Sequence, residues 1–406
     1  MADDGTKTQT RKGIMSGDHS SDLLEQVLAS LDRAAIATQV EQSAAAFDPA
    51  RGGSRKIVIF GTRFLGRLIA EAALKAGLEL VAWADNDPGV QGSELLGAPV
   101  LSPAEAVARF DAEAAVVVGA FHSQALRRQL ADLGCRRIVR YAEFFWNFAE
   151  HLPAMTGMTR PDTLLDQVDD IRRGFALLAD ETSRREFAGQ IAWRCTLDDA
   201  ALPQHRAACD TYFDPELIRL GEDESVIDCG AFDGDTLRIF LARCDGRFRR
   251  FYALEPDPDN RAALNGYLSA LPADMPARIT VLPHAVGDHD GTVRFSSGCG
   301  PASRLGVETD FAVSCRRLDG VIDGPVSFIK MDVEGAELSA LAGAATLLIR
   351  HRPIVAVTAY HHSEHLWQLP QLLRRLAPDH RLFLRRYAEE CWETVYYAIP
   401  PERLGG

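Results

Sequence analysis

The sequence predicts an α/β protein built from two doubly wound, largely parallel sheets with a helical connector between them. Three observations carry that expectation. The chain has 406 residues, between two and three times the roughly 150 residues of an average domain, so each unit can bury a core of its own. Short apolar runs alternate with segments of helical period twice, over 55–150 and over 223–406, as parallel strands covered on both faces do. Between them, over 151–222, only the helical period persists.

In chain order, residues 1–20 are polar and are expected to be a disordered tail. Leu23, Leu24, Val27, Leu28 and Leu31 then recur at helical spacing, which predicts a leader helix with one apolar face. Residues 41–54, with Pro49, Gly52 and Gly53, read as a linker that closes the segment 1–54. The first sheet opens with a strand at 56–60, a turn at 61–66, a helix over 68–75 and a strand over 78–84, together one βαβ unit. A strand at 114–118, a helix near 124–133 and a strand at 137–141 continue it. In the connector, Leu164, Leu165, Val168, Ile171, Phe175 and Leu178 form one stripe, and Ser183 with Glu186 has the spacing of a capping box. The second sheet has strands at 225–229, 251–254, 279–282, 326–331, 354–359, 381–385 and 394–399. Helices are expected at 235–243, 258–270, 336–349 and 364–376, and 292–296 with 311–316 reads as an added hairpin.

Hydrophobic residues make up 47% and charged residues 25% of the chain, close to the soluble average, so most of it should fold. The 44 Lys and Arg against 57 Asp and Glu give a net charge of −13, the wrong sign for broad affinity to nucleic acid or anionic lipid. A small-molecule or glycan partner is expected instead, with neither nucleic acid nor membrane. Cysteines 135, 195, 209, 229, 244, 299, 315 and 391 form no C-x-x-C pair and read as reduced thiols. The first 20 residues lack the apolar core of a signal peptide and no apolar run approaches ~18 residues, so a cytoplasmic location is expected.

The chemistry concentrates in the second sheet. Its first strand carries Asp228 into a turn with Gly230, Ala231 and Gly234, where glycine lets the backbone approach a ligand closely. The next strand ends in Glu255-Pro256, and an acid there can accept hydrogen bonds from both ribose hydroxyls. The turn lacks the three-glycine dinucleotide pattern, and no lysine follows its second glycine. A nucleoside without phosphates, S-adenosylmethionine, suits that absence.

These motifs, with His284-Ala285-Val286-Gly287, Arg317-Leu318-Asp319 and above all Ile329 to Glu337, IKMDVEGAE, make residues from about 205 to 400 resemble the FkbM family of S-adenosylmethionine-dependent methyltransferases. Tyr212-Phe213, Tyr360-His361-His362 and Leu366-Trp367 resemble one of its subgroups. The resemblance implies a seven-stranded class I methyltransferase fold and methyl transfer, usually to a hydroxyl of a sugar, glycan or natural product. Ligands of an open α/β sheet sit outside the carboxyl ends of its strands. Asp228 and Gly230 would therefore hold the methionine portion, Glu255 the ribose, and His284 with Ala285 the adenine. Asp332 is the first candidate base; His361 or His362 is the second, against the bland reading of a pair that caps the helix beginning near Ser363. Asp332, Glu334 and Glu337 offer oxygen ligands for a divalent cation, but Lys330 stands beside them and no metal is expected; a zinc site at His361, His362 and His365 lacks a fourth ligand.

In the first sheet, Gly61 and Gly66 match the outer glycines of the dinucleotide fingerprint, Arg63 replaces the middle one, and Asp85 stands where a ribose acid would. This Rossmann-like segment resembles, more weakly, the PglD-type domain of sugar acyltransferases, which implies a nucleotide-sugar site; a docking scaffold is the alternative. A nucleotide-sugar or NAD(P) enzyme acting through the first sheet, with the second as accessory, is thus the rival to the methyltransferase, and a ligand sensor is a third reading. The segment 151–222 reads as a helical connector or a lid: packed over the ligand face of the second sheet, it would be a substrate lid carrying Tyr212.

Overall fold

A computed structural model describes residues 21–152, 158–272, 274–296 and 310–404. The expected tail at 1–20, the first residues of the connector after Leu152 and Cys299 lie outside the described residues. The first sheet contains β1 (Lys56–Phe60), β2 (Glu79–Ala84), β3 (Glu94–Leu95), β4 (Ala98–Leu101), β5 (Ala114–Val118) and β6 (Ile138–Arg140), in the spatial order β3-β4-β2-β1-β5-β6. The short antiparallel pair β3/β4 was not expected. It turns through Leu96 and Gly97, both at positive φ, and is too short to leave a period-2 signature.

In the second sheet, β7 (Ser225–Cys229), β8 (Arg250–Leu254) and β9 (Ile279–Leu282) run to one side. A small sheet follows, made of β10 (Ala285–Val286) and the expected hairpin β11 (Gly291–Ser296) and β12 (Asp310–Arg316). Then come β13 (Phe328–Met331), β14 (Ile354–Thr358), β15 (Arg381–Arg386) and β16 (Thr394–Ile399). The seven-stranded order is β15-β16-β14-β13-β7-β8-β9, with only β16 antiparallel to its neighbours. Every residue of β7, β13 and β14 is buried, which is why, apart from Ser225, Asp228, Lys330 and Thr358, these strands are apolar throughout. The expected helix at 336–349 is two, Glu337–Ala342 and Ala345–His351. The break falls at Gly343, whose backbone lies against the Gly287 carbonyl.

Three other expectations change. The leader is two helices, Ser21–Ser30 and Arg33–Ala45, separated where the Asp32 side chain accepts from the amides of Ala34 and Ala35. The first residues of the expected linker therefore complete a helix. The cap of Glu181–Thr196 is Asp180, which accepts from Ser183 N at 2.8 Å; Ser183 is the third helical residue rather than the cap, and Glu186 pairs with Arg386 at 2.7 Å. Finally, the connector helices are walls rather than a lid. Leu164, Ile171, Phe187 and Ile191 are buried in the core of the second sheet, while Trp193 and Leu197 enter the core of the first, so one amphipathic segment packs against both sheets. Among the described residues no helix is long and apolar enough to cross a membrane.

Candidate functional site

The order of the second sheet reverses between β7 and β13, and the carboxyl ends of strands at such a switch point are where open α/β sheets receive ligands. Their register sets Lys330 opposite Asp228. Two charged residues inside fully buried strands must neutralise each other, and Lys330 Nζ lies 3.0 Å from Asp228 Oδ1. Burial pushes the Asp228 carboxyl up to about 7, against the pull of Lys330. Burial also disfavours the Lys330 ammonium, but Asp228 and Asp332 hold it above its ordinary value. Asp228 Oδ2 has no hydrogen-bond partner among the described residues.

Lys330 also donates to the Gly230 carbonyl at 2.6 Å, which fastens the turn after β7. Gly230 has φ +78°, and a Cβ there would come 1.9 Å from the Asp332 carbonyl oxygen, so no other residue fits. The amides of Gly230 and Ala231 donate to the Leu254 carbonyl at 2.9 and 3.1 Å, and Gly234 opens the helix Asp235–Arg243. Below the turn, Glu255 is 4% exposed. Its oxygens accept from Phe232 N and Asp257 N, both at 2.8 Å, and burial raises its carboxyl despite these bonds. The Pro256 carbonyl accepts from Arg261 at 2.6 Å. His284 follows β9 and Ala285 begins β10. His284 Nδ1 is buried without a hydrogen-bond partner among the described residues, and burial, then Arg316 and Arg261, hold the imidazole below its ordinary value.

On the β13 side, Asp332 keeps 22% of its side chain exposed. Tyr212 donates to its Oδ2 at 2.7 Å, and Tyr360 to its Oδ1 at 3.3 Å. Tyr212 arrives from the turn that follows the short helical segment Ala208–Asp210, and its ring centre lies 5.2 Å from Lys330 Nζ. Underneath, the fully buried Glu337 accepts from Val333 N at 3.1 Å and from Thr358 Oγ1 at 3.2 Å. His361 Nδ1 stands 2.8 Å from Glu337 Oε1, and His365 Nδ1 3.2 Å from Oε2. His361 Nε2 lies 3.2 Å from Glu334 and 3.6 Å from Asp332.

These distances assign different states to the two candidate histidines. Burial disfavours the His361 imidazolium, but Glu337, Glu334 and Asp332 raise it well above its ordinary value. Burial likewise opposes the Glu337 carboxylate, yet His361 and His365 hold it well below the usual range. With both nitrogens facing carboxylates, the charged form of His361 is favoured, and in that form it does not accept a proton. His362, half-buried, is held below its ordinary value by burial and then by His365, whose ring centre is 4.8 Å away. Asp332, Glu337 and His361 present ligand atoms within 4.8 Å of one another.

Two further residues take part in the site. Lys330 carried a signal, a charge inside an apolar strand opposite another, which becomes specific only once the register is known. Glu393 carried none: it arrives from the β15–β16 loop, and burial, then the Asp332 charge, raise its carboxyl to about 7. Tyr212, Phe232, Glu334 and Glu393 all have φ between 46° and 66°. Such strain costs about 1–3 kcal/mol at each residue and collects where function requires it.

At the first sheet, the glycines serve its own packing. A Cβ at Gly66 would meet the Gly61 carbonyl at 1.9 Å, and one at Gly61 the Gly119 carbonyl at 2.7 Å. Arg63 is exposed at the start of the helix Phe64–Lys75. Asp85 does not present a free carboxylate: Thr62 N and Oγ1 donate to its Oδ2 at 2.9 and 2.6 Å, and Asp87 N to its Oδ1 at 2.9 Å.

Residues 228–391 match the family model of the methyltransferase FkbM domain. Among solved structures, the methyltransferase FkbM of Methylobacillus flagellatus KT is 24% identical, covers 90% of this chain and 100% of its own, and superimposes with a TM-score of 0.69. The fold is therefore shared across both sheets. The precorrin-6y C5,15-methyltransferase of Geobacter metallireducens GS-15 is 15% identical, covering 45% of this chain and 83% of its own with a TM-score of 0.28. The fibrillarin of Aeropyrum pernix, solved with natively bound S-adenosyl-L-methionine, is 13% identical over 48% of this chain and 75% of its own, with a TM-score of 0.29. No curated protein matches the sequence.

Proposed function

We propose that this chain, whose residues 228–391 match the methyltransferase FkbM domain, is an S-adenosylmethionine-dependent methyltransferase that methylates a hydroxyl oxygen of a small-molecule or glycan acceptor, with Asp332 as the base. The switch point suits the cofactor by the chemistry of its donor set. Asp228 Oδ2 and His284 Nδ1 are buried polar atoms in need of partners, and position 230 admits backbone only. Asp228 would accept from the amino group of the methionine portion, Glu255 would hold the ribose, and His284 with Ala285 would flank the adenine. When bound, S-adenosylmethionine supplies an electrophilic methyl group on a positive sulfonium.

The observation that carries the assignment is the partly exposed Asp332 carboxylate, oriented by the Tyr212 and Tyr360 hydroxyls at the switch point. Asp332 would take the proton of the acceptor hydroxyl, leaving its oxygen free to receive the methyl group that S-adenosylmethionine would supply. Tyr212 and Tyr360 fix the direction of its lone pairs, so most of the rate comes from alignment. His361 and Lys330 steady the carboxylate from behind. Asp332→Asn, assayed with labelled methyl donor against a panel of glycans and hydroxylated small molecules, should lower turnover by roughly 10² or more with little change in S-adenosylhomocysteine affinity. Full turnover in this variant would remove the base role and pass it to His362. Activity should survive EDTA; a loss restored by Mg²⁺ would reassign Asp332 as a metal ligand.

A further inference from the structure

The β15–β16 loop, residues 387–393, is held from outside the second sheet. Glu390 and Glu393 adopt φ values of 57° and 51°, a conformation that persists only when surrounding contacts impose it. The contacts on Glu390 come largely from the first sheet. Its side chain is 1% exposed; Ser123 donates to Oε1 at 2.5 Å, and Arg127 Nη2 lies 3.4 Å from the same oxygen. The Arg127 guanidinium is itself held by Asp199 and by Ser123 Oγ. The neighbouring Glu389 accepts from Gln124 N at 3.2 Å. One loop thus brings two carboxylates to the start of the helix Ser123–Asp132, which its own N-cap residue, His122, leaves without a side-chain cap. In a doubly wound sheet this is where an anionic ligand would be received; here the chain's own loop takes the place.

The same loop reaches the proposed methyl-transfer site. The Trp392 ring lies 4.5 Å from Phe121 on the first-sheet side and 5.7 Å from Tyr360 on the other. Tyr360 is a hydrogen-bond donor to Asp332, and Glu393 follows Trp392 directly. The path from first sheet to carboxylate is therefore Ser123 and Arg127 to Glu390, then Trp392, Tyr360 and Asp332.

We propose that the first sheet is a brace for the active-site loop, with Ser123, Arg127 and Phe121 as positioning residues that set Trp392, and through it Tyr360, against Asp332. The inference rests on the methyltransferase reading for its kinetic part only. A displacement of about 1 Å at a reacting group costs up to 10²-fold in rate, so releasing the loop should lower kcat about tenfold while leaving cofactor affinity within twofold.

The test compares full-length Arg127→Met and Ser123→Ala with the wild type, and Arg127→Lys as the conservative control. Measured are hydrogen exchange of peptides spanning 387–393 and 225–235, kcat and KM for methyl transfer, and S-adenosylhomocysteine affinity by calorimetry. The brace predicts faster exchange confined to 387–393, a fall in kcat larger than the change in KM, and partial recovery in Arg127→Lys. Unchanged exchange at 387–393 in both variants overturns it, and so does faster exchange without loss of kcat. If Arg127→Met fails to fold, Ser123→Ala decides by the same readouts. A wild type that binds S-adenosylhomocysteine but transfers no methyl group to any acceptor tried would count against the methyltransferase reading, while exchange at 387–393 would still decide whether the first sheet braces the loop.

Discussion

Glu337→Gln tests the buried charge centre beneath Asp332. The substitution keeps an oxygen for the Val333 amide but removes the carboxylate that lies 2.8 Å from His361 and 3.2 Å from His365. Removing one partner of a buried pair costs about 3–5 kcal/mol when the other must stay charged, but an imidazole can instead release its proton, so the cost depends on pH. In the wild type the His361 value is raised. Its contribution is fully present below the unfolded value of about 6.5 and is lost as pH rises through the folded value. In the variant the buried imidazole loses its main counter-charge and that contribution disappears. Glu337 has a depressed value, so its own contribution is present above its unfolded value, about 4.3, and stays constant from pH 5.5 to 7.5. The gap between the proteins should therefore widen on acidification by up to about 1.4 kcal/mol per pH unit. We expect a loss of about 3–5 kcal/mol at pH 5.5 shrinking to about 1–2 kcal/mol at pH 7.5. Urea denaturation at the two pH values measures it directly, provided the m-values agree. A gap that is constant, or larger at pH 7.5, would refute the assignment of His361 as a buried imidazolium.

Further outcomes follow from the same geometry. Lys330→Met leaves Asp228 buried without its cation, which raises its carboxyl further. Stability should fall by about 3 kcal/mol, and because a raised carboxyl loses stability as pH rises, the deficit should be greater at pH 8 than at pH 5 in denaturant titrations. Gly230→Ala forces a Cβ onto the Asp332 carbonyl at φ +78°; it should cost at least about 2 kcal/mol and abolish S-adenosylhomocysteine binding by calorimetry, and unchanged binding would exclude this turn as the ligand cradle. Tyr212→Phe removes a charge-assisted hydrogen bond to Asp332, worth about 1.5–3 kcal/mol. Its kcat should drop roughly tenfold or more without a matching loss of cofactor affinity, as a methyl-transfer assay beside a binding titration will read.

Much of this molecule follows from short-range rules acting along the chain. Buried parallel strands write themselves as apolar runs, a turn that admits no side chain writes itself as glycine, and an acid at a strand's carboxyl end is placed by the sheet alone. The seven-stranded sheet, Gly230, Glu255 and Asp332 were legible for that reason. Where one interaction competes with another across space, local pattern was insufficient. Ser183 and Glu186 have capping-box spacing, but Asp180 takes the cap and Arg386 takes Glu186. A histidine near a base suggests a proton acceptor, yet Asp332, Glu334 and Glu337, all from the one segment after β13, face His361 from across the sheet and favour its charged form. Charge state and strain depend on the sum of through-space neighbours, and those are chosen by tertiary packing. The same holds for the loop at 387–393, where Glu390 meets Ser123 from 267 positions away: the sequence determines that both residues exist, and only the docking of two sheets decides that they touch.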